Sequence, residues 1–147
     1  MRDERLGFVG DVTSIDASIV QKLCNEELIP VIATIGADSG GQAYNINADT
    51  AAGAIAEALQ AEKLVYLTNI EGLRRDVADP SSLISTTTAD ELEELLRSGA
   101  LTEGMIPKIE SCISAVRNGV GHAHILDGRI PHALLLEVFT REGVGTM

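Results

Sequence analysis

Short aliphatic runs alternate with amphipathic periods along the chain. Residues 6–12 read as a strand with polar interruptions, and Asp16 is placed to cap a helix through Ile19, Leu23 and Cys24. Residues 28–35, broken early by Pro30, form an aliphatic, β-branched run of the kind found in buried parallel strands. Asp38-Ser39-Gly40-Gly41-Gln42 has hairpin-turn chemistry. Residues 64–69 predict a second buried strand, and the polar stretch 74–82, with Pro80, a loop. Thr88 and Glu91 form a capping box ahead of Leu92, Leu95 and Leu96. Pro107 opens a helix with Ile109, Cys112, Ile113 and Val116 on one face. Residues 124–127 predict a short strand, and Pro131 opens a last helix through Leu135 and Val138. Strands joined by helices predict a mostly parallel sheet covered on both faces, within one α/β domain over residues 1–147.

The most informative stretch is Tyr44-Asn45-Ile46-Asn47-Ala48-Asp49 and the helix that follows it to about Ala61. In an extended segment Asn45 and Asn47 point to one face. Ala52, Ile55, Ala56 and Leu59 then recur at helical spacing and give a core face of small residues. Asn47 is a plausible N-cap, with Asp49 in the first turn, where the helix dipole favours an anion. A capped helix packed on a sheet explains Asn47 and Asp49. It does not explain Asn45, which points instead to a polar ligand site.

Composition narrows the classes. The chain has 147 residues, 45% of them hydrophobic, enough for one domain with its own core. Aromatics make up only 3%, so aliphatic side chains must build that core. No apolar run is long enough to span a bilayer, and no charged-then-apolar leader is visible at the N-terminus. A cytoplasmic protein is expected. Cys24 and Cys112 are isolated on amphipathic helices and are expected to be buried free thiols. A net charge of −11 argues against nucleic acid and anionic membranes as partners. It leaves room for a nucleotide, which needs only a local cluster of donors.

Ligands of open α/β sheets sit beyond the carboxyl ends of the strands. Three polar strand ends are present: 45–49, Thr68-Asn69-Ile70-Glu71-Gly72-Leu73, and 124–129 around Asp127-Gly128. Gly72 would let the backbone approach a ligand, although an ordinary Asn turn explains that loop equally well. Lys108 lies in the first turn of its helix, where a cation opposes the dipole unless an anion joins it. A phosphate is the natural candidate, and a solvated lysine is the bland alternative. No Gly-Lys-Ser/Thr phosphate loop, Rossmann fingerprint or nucleophile elbow occurs. His122 and His124 could share a strand face, but no third ligand has suitable spacing, so no metal site is expected.

Taken in order, Tyr44-Asn45-Ile46-Asn47-Ala48-Asp49, then Leu67-Thr68-Asn69-Ile70-Glu71-Gly72-Leu73, then Gly104-Met105-Ile106-Pro107-Lys108, resemble the amino-acid kinase family. Residues 6–12 and the ending Gly143-Val144-Gly145-Thr146-Met147 extend the resemblance over essentially the whole chain. Within the family it falls on the branch that phosphorylates N-acetylglutamate in arginine biosynthesis. The resemblance implies a three-layer αβα sandwich, homo-oligomers, ATP with Mg²⁺, and transfer of the γ-phosphoryl group to the substrate's side-chain carboxylate. It implies catalytic roles for Lys108 and Asp49. Asn45, and with it Asn47, would bind substrate. Thr68, Asn69, Gly72, Leu73, Leu101 and Thr102 would hold the nucleotide. It also implies an arginine effector near the C-terminus, at Glu137, Gly143 and Gly145. Such catalysis is positioning plus charge neutralisation and needs no protein nucleophile.

The likeness is to the C-terminal, nucleotide-binding half of such kinases. The family's first half carries a second catalytic lysine, a Gly-Gly loop that holds substrate and an arginine that clamps its carboxylate, and this chain has none of them. Gly40-Gly41 falls in a hairpin, and Arg74-Arg75 follows the nucleotide strand. A fragment, a split gene product or a misplaced start would each give this pattern. Two other readings stay open. One is a nucleotide-binding module without its own catalysis. The other is a related kinase acting on aspartate, glutamate, carbamate or a carrier-bound amino acid.

Overall fold

A computed structural model describes residues 7–76, 78–99, 101, 104–140 and 143–147. Thr102, among the expected nucleotide residues, and Leu6, in the opening motif, lie outside the described residues.

The mixed α/β fold is built on two parallel ladders. Strand β1 (Val9–Gly10) pairs in parallel with β3 (Ala43–Ile46), and β2 (Ile35–Ala37) pairs with β3 as a hairpin. The turn chemistry at 38–42 closes that hairpin: Asp38 Oδ1 accepts hydrogen bonds from the Gly40 and Gln42 amides at 2.9 and 3.0 Å. Strand β4 (Lys63–Thr68) pairs in parallel with β7 (His122–Asp127) over six residues. A small hairpin, β5 (Leu73–Arg74) with β6 (Leu83–Ile84), is bridged by a 3-10 turn at Pro80–Ser82. Sequence reasoning read a plain loop there. The strands are too short to show periodicity, and Asp79 caps the turn by accepting from Ser81 N at 2.8 Å.

The helices are α1 (Ser18–Asn25), α2 (Ala48–Leu59), α3 (Ala89–Ser98), α4 (Ile106–Arg117) and α5 (Ala133–Phe139). The register of β4 on β7 places Leu64, Tyr66, Ala123 and Ile125 on one face. Ile109, Cys112 and Ile113 of α4, with Ala56 of α2, join that face in the main core. On the opposite face Val65 stands beside His124, and Leu67 beside Leu126. Here α5 is tied down through Glu137, and the C-terminal residues run antiparallel to β7, bridged between Ile125 and Thr146. Helices therefore lie on both faces of the β4–β7 ladder. The capping box of α3 forms as its sequence dictates: Thr88 Oγ1 accepts from Glu91 N, and Glu91 Oε2 accepts from Thr88 N.

Two expectations are corrected at the other end. Residues 28–34 form no regular strand and, together with Ile35, they are largely exposed. Helix α1 buries none of its residues, so Cys24 is exposed, and only Cys112 is the buried thiol expected of both. The apolar pattern is present in the sequence, but nothing among the described residues covers it.

Candidate active site

Strand β3 delivers the chain to the start of α2 through Asn47. Its side-chain oxygen accepts from the Asp49 and Thr50 amides at 2.9 and 3.2 Å, so Asn47 is occupied as an N-cap. Asn45 is exposed near the end of β3, paired across the sheet with Val9 on one side and Ile35 on the other. The cap fixes Asp49 in the first helical turn of α2. There its carboxylate meets Lys108, from the first turn of α4, at 2.6 Å between Nζ and Oδ2.

The arrangement joins two helix starts through one ion pair. Both N-termini present positive dipole ends, and among the described residues no side chain caps the first amides of α4. Asp49 offsets the unfavourable placement of Lys108. The side chains retain 18% and 23% exposure, so the ammonium can still reach a ligand from solvent. The Lys108 ammonium also stands 6.0 Å from the centre of the Tyr66 ring.

Tyr66 and Ser111 hold this junction from below. The Tyr66 hydroxyl donates to the Asp49 carbonyl at 2.9 Å and lies 2.7 Å from Ser111 Oγ, which reaches the same carbonyl at 3.1 Å. A side chain at Gly53 would collide with Ser111 Oγ, so glycine is what lets α2 and α4 approach here. Burial pushes the Tyr66 phenol up to about 12, keeping it a neutral donor. Neither Tyr66 nor Ser111 was singled out from sequence. Tyr66 carried one hydroxyl among aliphatic strand residues, and Ser111 lay one helical turn after Lys108.

The Thr68–Leu73 loop leaves the carboxyl end of β4. Thr68 Oγ1 closes a tight turn with both the amide and the carbonyl of Ile70, and Asn69 is exposed. Gly72 has φ +151°, and a Cβ there would lie 2.6 Å from Thr146 Oγ1. Thr146 accepts from Leu73 N at 2.8 Å and donates to the Ile84 carbonyl at 2.6 Å, so the C-terminus anchors this loop. Leu101 packs against the main core. At the end of β7, Gly128 N donates to the Thr68 carbonyl, and Asp127 takes two hydrogen bonds from the Arg129 guanidinium. Those bonds hold the Asp127 carboxyl down at about 2.

Glu137, Gly143 and Gly145 also come together. Glu137 Oε1 pairs with His124 Nδ1 at 2.9 Å, and both side chains are nearly buried, at 6% and 5% exposure. Glu137 Oε2 accepts from Val144 N at 2.7 Å and Gly145 N at 3.3 Å. Burial opposes the charge on Glu137, but the Val144 amide and His124 outweigh it and the carboxyl is lowered. Gly143 has φ +64°, and a Cβ there would stand 2.6 Å from Glu137 Oε2. His124, read from sequence only as a doubtful metal ligand, is thus Glu137's partner. Among the described residues no group of three or more His, Cys, Asp or Glu stands together as a metal cage.

Comparison with known proteins extends this geometry. The model of the amino acid kinase family matches residues 1–127. The chain is 57% identical over 142 residues to an acetylglutamate kinase of Symbiobacterium thermophilum, covering 97% of this chain and 48% of that protein. It is 52% identical over 147 residues to an acetylglutamate kinase of Synechocystis, covering 100% and 50%. The chain thus spans about half the length of the curated relatives it matches. Among solved structures, an N-acetylglutamate synthase from Neisseria gonorrhoeae, complexed with coenzyme A and L-arginine, superposes with a TM-score of 0.86 at 32% identity. That match covers 96% of this chain and 32% of the synthase.

Proposed function

The chain belongs to the amino acid kinase family, and on that premise we propose that it is the nucleotide-binding half of a kinase that phosphorylates the side-chain carboxylate of N-acetylglutamate. The observation that carries this reading is the Asp49–Lys108 pair at the meeting of two helix starts. A phosphoryl group in transfer is an anion that asks for fixed positive charge and free N–H donors. Lys108 supplies the charge, and the first turn of α4, which no side chain among the described residues caps, supplies the donors. Asp49 is a positioning residue: it holds the ammonium at one point and keeps it from folding back into solvent. Asn45, exposed near the end of β3 two residues before the cap of α2, is the residue that would orient substrate.

ATP fits this donor set. It would lie with its phosphates towards Lys108 and its nucleoside towards Thr68, Asn69, Gly72, Leu73, Leu101 and Thr102. Mg²⁺ would arrive on the phosphates, because this hard cation keeps most of its water and takes few protein ligands. The nucleotide, when bound, supplies the phosphoryl group and its leaving group. The chain's own residues supply position and neutralisation.

Regulation by arginine follows the same premise. The nearly buried Glu137 carboxylate, flanked by Gly143 and Gly145, offers the anionic partner a guanidinium requires. The likeness to a synthase solved with L-arginine supports this reading. A cytoplasmic, oligomeric enzyme is the expected setting. No described helix is long and apolar enough to cross a membrane.

The experiment is titration of the purified chain with Mg-ATP by calorimetry, beside an assay of acyl-phosphate formation from N-acetylglutamate. Binding by the unmodified chain that weakens by about tenfold or more in Lys108→Ala supports the reading, since a charge-assisted hydrogen bond contributes about 1.5–3 kcal/mol. Identical binding by the two would remove Lys108 from the site.

A further inference from the structure

In β4 Leu64, Val65 and Leu67 are aliphatic, and Tyr66 stands among them with 5% exposure. Its hydroxyl reaches two helices at once. It donates to the Asp49 carbonyl of α2 at 2.9 Å and lies 2.7 Å from Ser111 Oγ of α4. Ser111 reaches the same carbonyl at 3.1 Å. Satisfying that carbonyl does not explain the arrangement. In a helix each carbonyl takes the amide four residues on, here that of Gly53, so two hydroxyls converge on an oxygen that is already served. What they add is location. Two hydroxyl protons are shared among three contacts, and in each arrangement at least one of them goes to the Asp49 carbonyl. The ring of the same tyrosine faces the Lys108 ammonium, 6.0 Å from its centre, at the outer limit of a cation–π contact. Lys108 and Ser111 are three apart on α4 and share a face. Tyr66 therefore meets both halves of the Asp49–Lys108 pair, one through its hydroxyl and the other through its ring.

We propose that Tyr66 and Ser111 are positioning residues for phosphoryl transfer: their hydroxyls pin the start of α2 to the start of α4, and with the Tyr66 ring they fix where the Asp49–Lys108 pair presents its ammonium. The inference rests on the reading of Lys108 as the group that meets the phosphoryl anion. A purely structural role fits less well. Leucine or phenylalanine would fill the core at position 66 without bringing in a hydroxyl that must be satisfied. The hydroxyl is delivered to the carbonyl of the very residue whose carboxylate holds Lys108. Helix packing also has its own tie at the far ends of α2 and α4, where Glu57 accepts from Ser114 Oγ at 2.7 Å and from Asn118 Nδ2 at 3.1 Å. The far tie holds the two helices together, and the near tie holds the ammonium in place. A misplacement of about 1 Å can lower a rate by about 10², so a clamp at this point bears on transfer more than on binding.

The test follows the ammonium itself. The chain has three lysines, Lys22, Lys63 and Lys108, so their ¹⁵N-labelled ammonium signals are few enough to assign by substitution. Exchange of each ammonium with water is measured by NMR in the purified chain. The proposal expects Lys108 to exchange about tenfold or more slowly than exposed Lys22. Tyr66→Phe/Ser111→Ala removes both hydroxyls and keeps both hydrocarbon bodies, and there the gap should shrink by about fivefold or more. Leu64→Val, a core change two residues away in the same strand, should lower the thermal midpoint and leave the gap in place. A gap absent from the unmodified chain, unchanged in the double variant, or equally reduced in Leu64→Val would overturn the proposal. A second arm uses the chain fused to the part of the Symbiobacterium relative that it does not match. There the double variant should lose about fivefold or more in kcat with the KM for ATP held within about twofold, because misplaced charge is felt in the transition state. A rise in KM alone, or an unchanged kcat, would overturn it. An unmodified fusion without kinase activity would strike the functional reading, and the exchange gap would still decide whether Tyr66 and Ser111 hold the ammonium.

Discussion

Asp49 and Lys108 are 59 residues apart in sequence, and their side chains meet at 2.6 Å where α2 and α4 begin. Every other feature of the site serves that meeting. Asn47 ends β3 and starts α2, Gly53 lets the two helices close, and Tyr66 and Ser111 hold the Asp49 carbonyl from the core side. An ion pair at two helix N-termini is a poor device for stability alone, since Lys108 opposes the dipole of its own helix. It is a good device for holding a cation ready for an anionic ligand.

Asp49→Asn separates capping from positioning. Asn47 already caps α2, and an amide at position 49 keeps the size while removing the charge that faces Lys108. We expect a loss of about 1–2 kcal/mol in stability from the weakened charge-assisted contact. We also expect a fall of about tenfold or more in phosphoryl transfer in a fusion with the part of the Symbiobacterium relative that this chain does not match, with ATP affinity reduced far less. Thermal melts and steady-state kinetics of the fusion check it. Turnover within a few-fold of the unmodified enzyme would leave Asp49 a helix-start residue.

Tyr66 and Cys112 predict the alkaline limit. Burial raises both groups in the fold to about 12, against ordinary values of 10.0 and 9.0. The unfolded chain loses these protons first. The stability they contribute is therefore whole below about pH 9 and is lost progressively as pH rises towards 12. Tyr66→Phe should flatten the upper part of that decline, from about pH 10, and cost about 1 kcal/mol at neutral pH for the lost hydrogen bond to the Asp49 carbonyl. Denaturant midpoints measured from pH 8 to 12 decide it. A decline of unchanged slope in Tyr66→Phe would remove Tyr66 as its source.

Glu137 predicts an acid-sensitive C-terminus. Its carboxyl is lowered in the fold from the ordinary 4.5, chiefly by the Val144 amide and His124 working against burial. The stability it contributes is present above that ordinary value and is lost as pH falls through the lowered one. Hydrogen exchange at the Val144 and Gly145 amides should accelerate, relative to the chain's intrinsic rates, over that range. Glu137→Gln should show fast exchange already at neutral pH. Protection unchanged in Glu137→Gln would mean that the Ile125–Thr146 bridge alone holds the tail.

Much of this was legible beforehand for a physical reason. The N-cap at Asn47, the capping box of α3 and the proline at the start of α4 are local devices, readable within four residues. Asp49 and Lys108 stood out because each sits in a first helical turn, where charge has a known sign preference. That they touch is a fact of tertiary structure. Tyr66 was missed because a single hydroxyl in an apolar strand looks like core from the sequence, and Ser111 because a serine beside the apolar face of a helix looks like solvated surface. Residues 28–35 failed in the opposite direction. Their pattern reads as a doubly buried strand, and nothing among the described residues covers it, because hydrophobic periodicity states what a segment needs and not which residues meet that need. The β5–β6 hairpin escaped because two-residue strands carry no period.

Phosphoryl transfer by a full-length fusion tests the role of Lys108 most directly. The chain is fused to the unmatched part of its Symbiobacterium relative, supplied with Mg-ATP and N-acetylglutamate, and the acyl phosphate is trapped with hydroxylamine. The account predicts steady turnover by the fusion, a loss of about 10²–10³ in kcat for Lys108→Ala as for removal of one preorganised transition-state donor, and little or no turnover by the chain alone. Turnover by the Lys108→Ala fusion equal to that of the unmodified fusion would contradict it.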